Sequence, residues 1–206
     1  APVPAATASG APHVDVASIE RHAAQFDDEL EPRPAGSQRE FLAATYILGH
    51  LQQAGYVPLL DAVPVGNLVR STNVVAPPPG GADMTIVVVV AYDSGPGAPS
   101  SGRAIGLWLE LARAVQVRDP DHTAGFVALG ADRTEDEQLG SRRLAKFLVD
   151  EDLDPVVVTV GAVDGADATM TDPGPSVFEA AGFTHRVASG SVSSLGEVLL
   201  DFLTGR

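Results

Sequence analysis

Chemically reactive side chains gather in two short loops of this 206-residue sequence, and each loop is predicted to follow a buried strand. Carboxylates and hydroxyls placed in this way can serve as general bases, nucleophiles or ligands of a cation. An arginine beside them supplies a permanent positive charge and a fork of donors that fits a carboxylate. The residues concerned are Asp93, Ser94, Ser100 and Ser101 in the first loop and Asp132 and Arg133 in the second.

The elements that must position these loops alternate between strands and helices. Residues 85–91 are a continuous, mostly β-branched run, which is typical of a central strand covered on both faces. The alternation predicts one α/β domain over 14–206, a three-layer α/β/α sandwich with a mixed, mostly parallel sheet. Ligand sites of such folds lie beyond the carboxyl ends of the strands, where both loops fall. Predicted helices cover 14–30, 37–55, 103–117, 141–150, 176–181 and 194–203, and predicted strands cover 56–63, 67–76, 85–91, 123–130, 154–160 and 183–188.

Three local signals refine these elements. Ser37 and Glu40 have the spacing of a capping box, which predicts the start of the second helix. Ser194 and Glu197 repeat that spacing and predict the start of the last helix. Trp108 lies on the inner face of the predicted helix 103–117, so we expect it in the core rather than at a ligand site.

The acidic composition and the absence of cysteine exclude several function classes. A net charge of −14 leaves no basic stripe for a phosphate backbone, so the sequence predicts no nucleic-acid partner. Without cysteine the chain has no disulfide, thiolate zinc site or cysteine nucleophile, and any metal would need His, Asp or Glu ligands. The apolar runs are far shorter than the ~20 residues of a membrane-spanning helix, so no such helix is expected.

The first thirteen residues differ in composition from the rest of the chain. Residues 1–13 are rich in Ala, Pro, Ser and Thr and cannot build a core, so they are predicted to form a flexible tether. Such a segment is typical of exported proteins after removal of a leader, which predicts a secreted or cell-envelope location. Twelve arginines against one lysine, with abundant Ala and Val, indicate a bacterial source with a GC-rich genome.

An ordered series of short segments gives the sequence a family resemblance. The segments are R-P-A-G-S at 33–37, T-N-V-V-A at 72–76, G-P-G-A at 95–98, L-E-L-A-R at 109–113, L-G-S-R at 139–142 and F-E-A-A-G-F at 178–183. The series resembles the dizinc aminopeptidase family, the exopeptidases related to bacterial leucine aminopeptidase and aminopeptidase Y. The resemblance implies a zinc-exopeptidase-like α/β/α fold and, in active members, two zinc ions.

The chain departs from the family pattern at the positions that the resemblance assigns to metal and catalysis. By resemblance, the first histidine ligand falls on Ala91, the retained aspartate on Asp93, the bridging aspartate on Ser100 or Ser101, the glutamate pair on Asp132 and Arg133, the next aspartate near Asp164, and the last histidine within 171–175. A zinc site needs three or four N, O or S ligands. Alanine and arginine provide none, so we expect no zinc, no other cofactor and no dizinc peptidase activity.

Two functional hypotheses remain. The first is a non-catalytic relative, a pseudopeptidase that binds a protein or peptide at or outside the cell envelope. In it, an ion pair of Arg133 with Asp93 and Asp132 replaces the metal, either as a structural element or as a pocket for a peptide terminus or another carboxylate. The alternative is a divergent metal-dependent hydrolase built on Asp93, Asp132 and the acids of loop 132–137, which otherwise form a solvated acidic loop.

Two further constellations carry weaker signals. The glycines Gly95 and Gly97 suggest a phosphate-binding loop, but Pro96 and Pro99 remove amide donors that a phosphate needs. A serine hydrolase could pair Ser94, Ser100 or Ser101 with a histidine, but the sequence has no G-x-S-x-G elbow. Of the histidines, His13, His22, His50 and His122 are expected at the surface, and His185 on a strand or at the rim of the cleft.

Overall fold

The computed structural model describes residues 10–134, 137–164, 167–172 and 176–205. These residues form a seven-stranded sheet in the order β1-β2-β4-β3-β5-β7-β6. The strands are β1 (Leu59–Val65), β2 (Val69–Ala76), β3 (Ile86–Ala91), β4 (Ala124–Leu129), β5 (Val156–Val163), β6 (Thr169–Thr171) and β7 (His185–Gly190). The helices are α1 (Val16–Ala24), α2 (Gln38–Gln53), α3 (Gly102–Arg118), α4 (Leu139–Asp150), α5 (Val177–Ala180) and α6 (Val192–Leu203).

The sheet is mixed, as predicted. Its central strands β4, β3, β5 and β7 pair in parallel, whereas β1–β2, β2–β4 and β6–β7 pair in antiparallel fashion. Parallel pairs therefore occupy the centre, and the antiparallel pairs lie on either side of it. The carboxyl ends of β3, β4 and β5 lie at one edge of the sheet, which brings the two predicted loops together there.

Helices cover both faces of the sheet, so the predicted three-layer sandwich is confirmed. Alternating residues of β3 enter different cores: Val88 and Val90 pack with α1, α2, α3 and α6, whereas Val87 and Val89 pack with α4 and α5. This double burial is the physical reason for the β-branched run. The predicted core position of Trp108 is also confirmed, since its side chain is fully buried and its Nε1 donates to Val88 O at 2.9 Å.

Several element boundaries differ from those predicted. The first predicted helix is α1 followed by a π-helical turn over Gln25–Glu29. The last helix begins at Val192 rather than near Ser194, because Ser191 Oγ accepts the amide hydrogen of Ser194 and so acts as the cap. The short edge strand β6 was not predicted, since three residues carry too little pattern to be recognised.

The capping residues of α2 have a second role in the packing. Ser37 Oγ accepts the Glu40 amide at 3.1 Å, as a capping box requires. The Glu40 carboxylate reaches back to the amide of Gly36, one residue earlier than the usual pattern, and its other oxygen accepts from the Ser71 hydroxyl. The bond to Ser71 ties the helix to β2. It does so at the cost of desolvating the carboxylate, because burial raises the pKa of Glu40.

Glycine is required where α2, β2 and the end of β4 meet. A Cβ on Gly130 would lie 2.3 Å from Ser71 Oγ and 2.6 Å from Thr72 O. A Cβ on Gly140 would lie 2.3 Å from Gly130 O. Real Cβ atoms do not approach other atoms so closely, so these two glycines allow β4, β2 and α4 to come into contact.

Substituting Gly130 by alanine is expected to lower the free energy of unfolding by about 1–3 kcal/mol, because the added methyl group must displace β2 or the Glu40 carboxylate. Urea unfolding followed by fluorescence measures the change. Gly49→Ala on α2 is the matched control, since no atom lies within 4 Å of its added Cβ. The control should be neutral or stabilising by up to about 1 kcal/mol. Equal effects of the two substitutions would contradict the close approach.

Two histidines expected at the surface are buried, which corrects the sequence-based prediction. His22 is 7% exposed and pairs through Nδ1 with the Tyr46 hydroxyl at 2.8 Å. His122 is 2% exposed, contacts the Tyr56 hydroxyl through Nε2 and accepts the Ala124 amide through Nδ1. Burial lowers the pKa of each imidazole to about 4. The polar neighbours of His122 in sequence concealed its inward orientation.

The buried histidines predict an acid-sensitive stability. Their folded pKa of about 4 lies below the ordinary 6.5, so between these values the unfolded chain binds protons that the folded chain does not. The free energy of unfolding should therefore fall as pH drops from about 6.5 towards 4. The raised pKa of Glu40 acts in the opposite sense. Urea unfolding across this range should show a shallower slope in His122→Asn, whose amide oxygen still accepts from Ala124. An unchanged slope would contradict the assignment.

The start of the described chain is held by α3. Arg113 donates to the carbonyls of Ala11 and His13 at 2.8 Å, and its guanidinium also pairs with Glu110. The remainder of the predicted tether, residues 1–9, lies outside the described residues. Among the described residues, none of the helices is long and apolar enough to cross a membrane.

Candidate functional site

A cleft of 300 Å³ opens at the carboxyl ends of β3 and β5, beside the start of α3. Its walls include Ala91 from β3, Ser100 and Ser101 before α3, and Arg133 from the loop after β4. The other wall residues are Val90, Pro99, Ala104 and residues 159–163 of β5, most of them apolar. The structure thus brings together four of the positions that the sequence analysis assigned to one site, and it does so at the edge where α/β folds place ligands.

Asp93, the carboxylate retained from the family pattern, is turned away from this cleft. Its side chain is fully buried. The backbone amide of Arg133 donates to both carboxylate oxygens, at 3.0 Å to Oδ1 and 2.9 Å to Oδ2. The backbone amide and the hydroxyl of Thr134 both donate to Oδ2, at 2.7 and 2.8 Å. The carboxylate therefore fixes the loop after β4 through backbone and hydroxyl donors, which leaves it poorly placed to ligate a cation.

The predicted ion pair between Asp93 and Arg133 is wrong. The residue that meets Asp93 is Arg133, as expected, but it does so through its amide rather than its guanidinium. The guanidinium is exposed and donates through Nη2 to Pro99 O at 3.2 Å. A backbone amide is present at every non-proline position, so residue type alone gave no indication of this contact.

Asp132 also has a structural partner. Its Oδ1 accepts the amide of Ser141 at 2.8 Å, so it caps the first turn of α4 across the loop. Burial raises the pKa of Asp132, and its hydrogen bonds with Ser141 partly oppose that shift. It does not line the cleft among the residues that the structure describes. Of the hypothetical cation loop 132–137, Glu135 and Asp136 lie outside those residues.

Arg33 lies beside the cleft, and its role was not predicted from the sequence. We call Arg33 and the groups that it contacts the floor of the cleft. Arg33 is fully buried, although arginine is among the residues least often found inside a protein. Its Nε donates to Tyr92 O at 2.7 Å, its Nη1 to Phe26 O at 2.5 Å and its Nη2 to Ser101 Oγ at 3.0 Å. Glu31 Oε2 lies 2.6 Å from Nη1 and compensates the charge.

Asp27 is the second residue that the sequence analysis missed. Its carboxylate accepts the Ser100 hydroxyl at 2.7 Å and the Gly102 amide at 3.1 Å, so it caps α3 from the π-helical turn after α1. Its charge also contributes to holding the buried Arg33 in its ionised form. The sequence did single out Arg33, because it is the first residue of the R-P-A-G-S segment. Asp27 belongs to no such motif and lies within a predicted helix, so nothing in the sequence indicated its role.

The residues of the cleft do not fit the zinc ions that the resemblance implies. Ala91 and Arg133 offer no donor atom to a cation, and Asp93 already accepts three donors. The Ser100 hydroxyl is engaged with Asp27, and that of Ser101 with Arg33. Across the described ranges, no group of three or more His, Asp or Glu side chains is arranged to hold a metal ion.

The histidines needed for a serine hydrolase lie elsewhere. His185 is buried at the start of β7, where its ring nitrogens contact Thr159 Oγ1 and Ser176 Oγ at 2.8 Å. His122 is bonded to Tyr56 and Gln116 at the opposite end of β4. Among the described residues, no imidazole contacts Ser94, Ser100 or Ser101, so the constellation is not assembled.

Comparison with known proteins by sequence yields no match to a family model and none to a curated protein. By structure, a candidate Zn-dependent exopeptidase from Bacteroides vulgatus has a TM-score of 0.76 and 18% identity over 95% of this chain and 98% of its own. A glutaminyl cyclase from Fimbriiglobus ruber has 0.72 and 15%, covering 94% and 96% of the two chains. A zinc aminopeptidase from Bacillus subtilis has 0.66 and 12%, covering 84% of each. These likenesses confirm the zinc-exopeptidase-like fold that the sequence predicts.

Proposed function

We propose that this chain is a non-catalytic, aminopeptidase-like binding module that uses the cleft at the ends of β3 and β5 to hold a ligand. One observation carries the proposal: the side chains at the expected metal positions are Ala91, Ser100 or Ser101, and Arg133, while the retained Asp93 is engaged by the loop. Without a metal, a water molecule at neutral pH keeps its high pKa and does not become hydroxide. The cleft therefore lacks an activated nucleophile, which leaves ligand binding as the role we propose for it.

Metal analysis combined with activity assays tests this proposal. Protein purified without chelator should contain far less than one zinc per chain. It should release no product from aminoacyl-nitroanilide substrates and form no pyroglutamate from N-terminal glutamine peptides, with or without added zinc. A zinc aminopeptidase assayed in parallel is the positive control. Stoichiometric zinc together with turnover that a chelator abolishes would overturn the proposal.

A divergent hydrolase is the second candidate, and one observation favours it. Asp132 lies in the loop next to the cleft residue Arg133, and burial raises its pKa, as expected for a general base. Its hydrogen bond to Ser141 argues for the structural role, because the oxygen that caps α4 is occupied. Turnover of any ester or amide substrate that disappears in Asp132→Asn, with the fold retained, would favour the hydrolase.

We propose that the module works outside the cytoplasm, with a protein or peptide as its partner. The composition of residues 1–13 supports this, since a stretch rich in Ala, Pro, Ser and Thr is typical of exported proteins. A fusion of the full-length protein to a reporter that is active only after export would be expected to be active. An inactive reporter in cells that retain the folded domain in the cytoplasm would contradict the location.

A further inference from the structure

We infer that the cleft recognises a free carboxylate next to a short aliphatic group, held by the Arg133 guanidinium and the Ser101 hydroxyl. The ligand would be an amino-acid-sized acid or the carboxyl end of a peptide, since both present the same chemistry. The inference rests on the proposed function and specifies what the binding site takes.

The charge of Arg133 is the first argument. Its guanidinium has five N–H donors, and one of them makes a single contact of 3.2 Å with Pro99 O. Within the described ranges, no carboxylate lies at ion-pair distance from Arg133, although the chain is strongly acidic. The remaining fork can hold a carboxylate through two parallel bonds.

The charges near Arg133 have both signs, because the Asp93 carboxylate accepts its backbone amide and the guanidinium of Arg33 lies nearby. Burial is the main cause that lowers the pKa of Arg33, and repulsion between its guanidinium and that of Arg133 acts in the same direction. Glu31 and Asp27 compensate Arg33 from the side of the floor. An anion bound by Arg133 would weaken the repulsion between the two guanidinium groups.

The hydroxyl of Ser101 is the second donor. It is 7% exposed, lines the cleft and accepts from Arg33 Nη2 at 3.0 Å, so the bond uses its lone pair and leaves its proton available. A bond accepted from a guanidinium polarises the hydroxyl and makes it a stronger donor. An arginine and a serine that both donate select a ligand group that only accepts, which describes an ionised carboxylate and excludes an ammonium group.

The walls and the size limit what lies beside the carboxylate. Val90, Ala91, Ala104, Val160, Ala162 and Val163 supply an apolar lining of short side chains. A volume of 300 Å³ is at the lower end for ligand sites, which favours a group the size of one amino-acid residue. A short aliphatic side chain would bury apolar surface against these walls.

Calorimetric titration with matched acids and amides tests the inference. N-acetyl-L-valine should bind at least tenfold more tightly than N-acetyl-L-valinamide, because the amide cannot accept two charge-assisted bonds. L-valinamide, which presents an ammonium group, should not bind. A short peptide ending in valine, with its amidated form as the control, distinguishes a peptide end from a free acid. If the peptide binds more tightly than N-acetyl-L-valine, the ligand is a peptide end. If the two bind equally, the cleft recognises the terminal residue alone.

Arg133→Met should weaken binding of N-acetyl-L-valine by about tenfold to hundredfold. The affinity of Arg133→Lys should lie between those of the wild type and Arg133→Met. Arg70→Met is the matched control, because Arg70 lines a separate groove beside α2. Equal affinity for acid and amide, or unchanged affinity in Arg133→Met, would overturn the inference and leave the proposed function standing. Zinc-dependent turnover would instead overturn the proposed function, whatever the outcome of the titration.

Discussion

Replacing Arg33 with methionine is expected to lower the free energy of unfolding by about 3–5 kcal/mol. Methionine retains much of the apolar stem, but it leaves the carbonyls of Phe26 and Tyr92 without their donor in a site that excludes water. It also leaves Glu31, whose Oε2 has no hydrogen-bond partner apart from its ion pair, as an uncompensated charge. Removing one partner of a buried pair is the costly direction, because the other partner keeps its desolvation penalty.

Urea unfolding followed through the single tryptophan measures this effect, since Trp108 is fully buried. The control is Arg103→Met, which breaks an exposed ion pair with Glu20 and should change stability by less than about 1 kcal/mol. If Arg33→Met and Arg103→Met had similar stabilities, the bonds of Arg33 would be easily replaced, and its role in the floor would be refuted.

Substituting Asp93 by alanine is expected to be the next most disruptive change, lowering the free energy of unfolding by at least about 2 kcal/mol. The carboxylate accepts from the Arg133 and Thr134 amides within the loop after β4 and from the Thr134 hydroxyl. A buried donor left without an acceptor costs about 1–3 kcal/mol, and these part-buried donors surround a carboxylate that is itself fully buried.

Asp93→Asn provides the graded comparison. Its amide oxygen still accepts from the loop, while its NH₂ group meets donors, so its stability should fall between wild type and Asp93→Ala. Because the Arg133 and Thr134 amides donate to this carboxylate, their hydrogen exchange should accelerate in Asp93→Ala. Wild-type stability and exchange in Asp93→Ala would show that the carboxylate does not organise the loop.

The sequence predicted the layers of this fold because hydrophobic patterning decides them. The run that becomes β3 has apolar side chains on both faces. Such a strand is buried on both sides only at the centre of a sheet covered by helices. Trp108 was placed correctly for the same reason. The edge of the sheet where both loops meet followed from the parallel centre, so the location of the cleft was also predictable.

The partners within the site were not predictable, because they involve the backbone. Asp93 selects amides of the loop after β4, and Arg33 selects the carbonyls of Phe26 and Tyr92. These groups are the same at nearly every residue, so pairing by side-chain chemistry chose the right residue for Asp93 but the wrong group, the guanidinium of Arg133 instead of its backbone amide. His122 was misplaced for a related reason, since its exposed neighbours in the turn gave no indication of its contacts with Tyr56 and Ala124.

The hydrogen bonds of Arg33 have a consequence for local opening of the folded protein. One guanidinium joins the turn after α1, the end of β3 and the segment before α3, which lie far apart in sequence. None of these segments can detach without breaking bonds to the others, so sub-global opening of the cleft floor should be rare. Amides around Tyr92 and Ser94 should then exchange with solvent deuterium only in molecules that unfold completely. The floor would behave as a rigid seat, and any adaptation to a ligand would fall to the exposed side chain of Arg133.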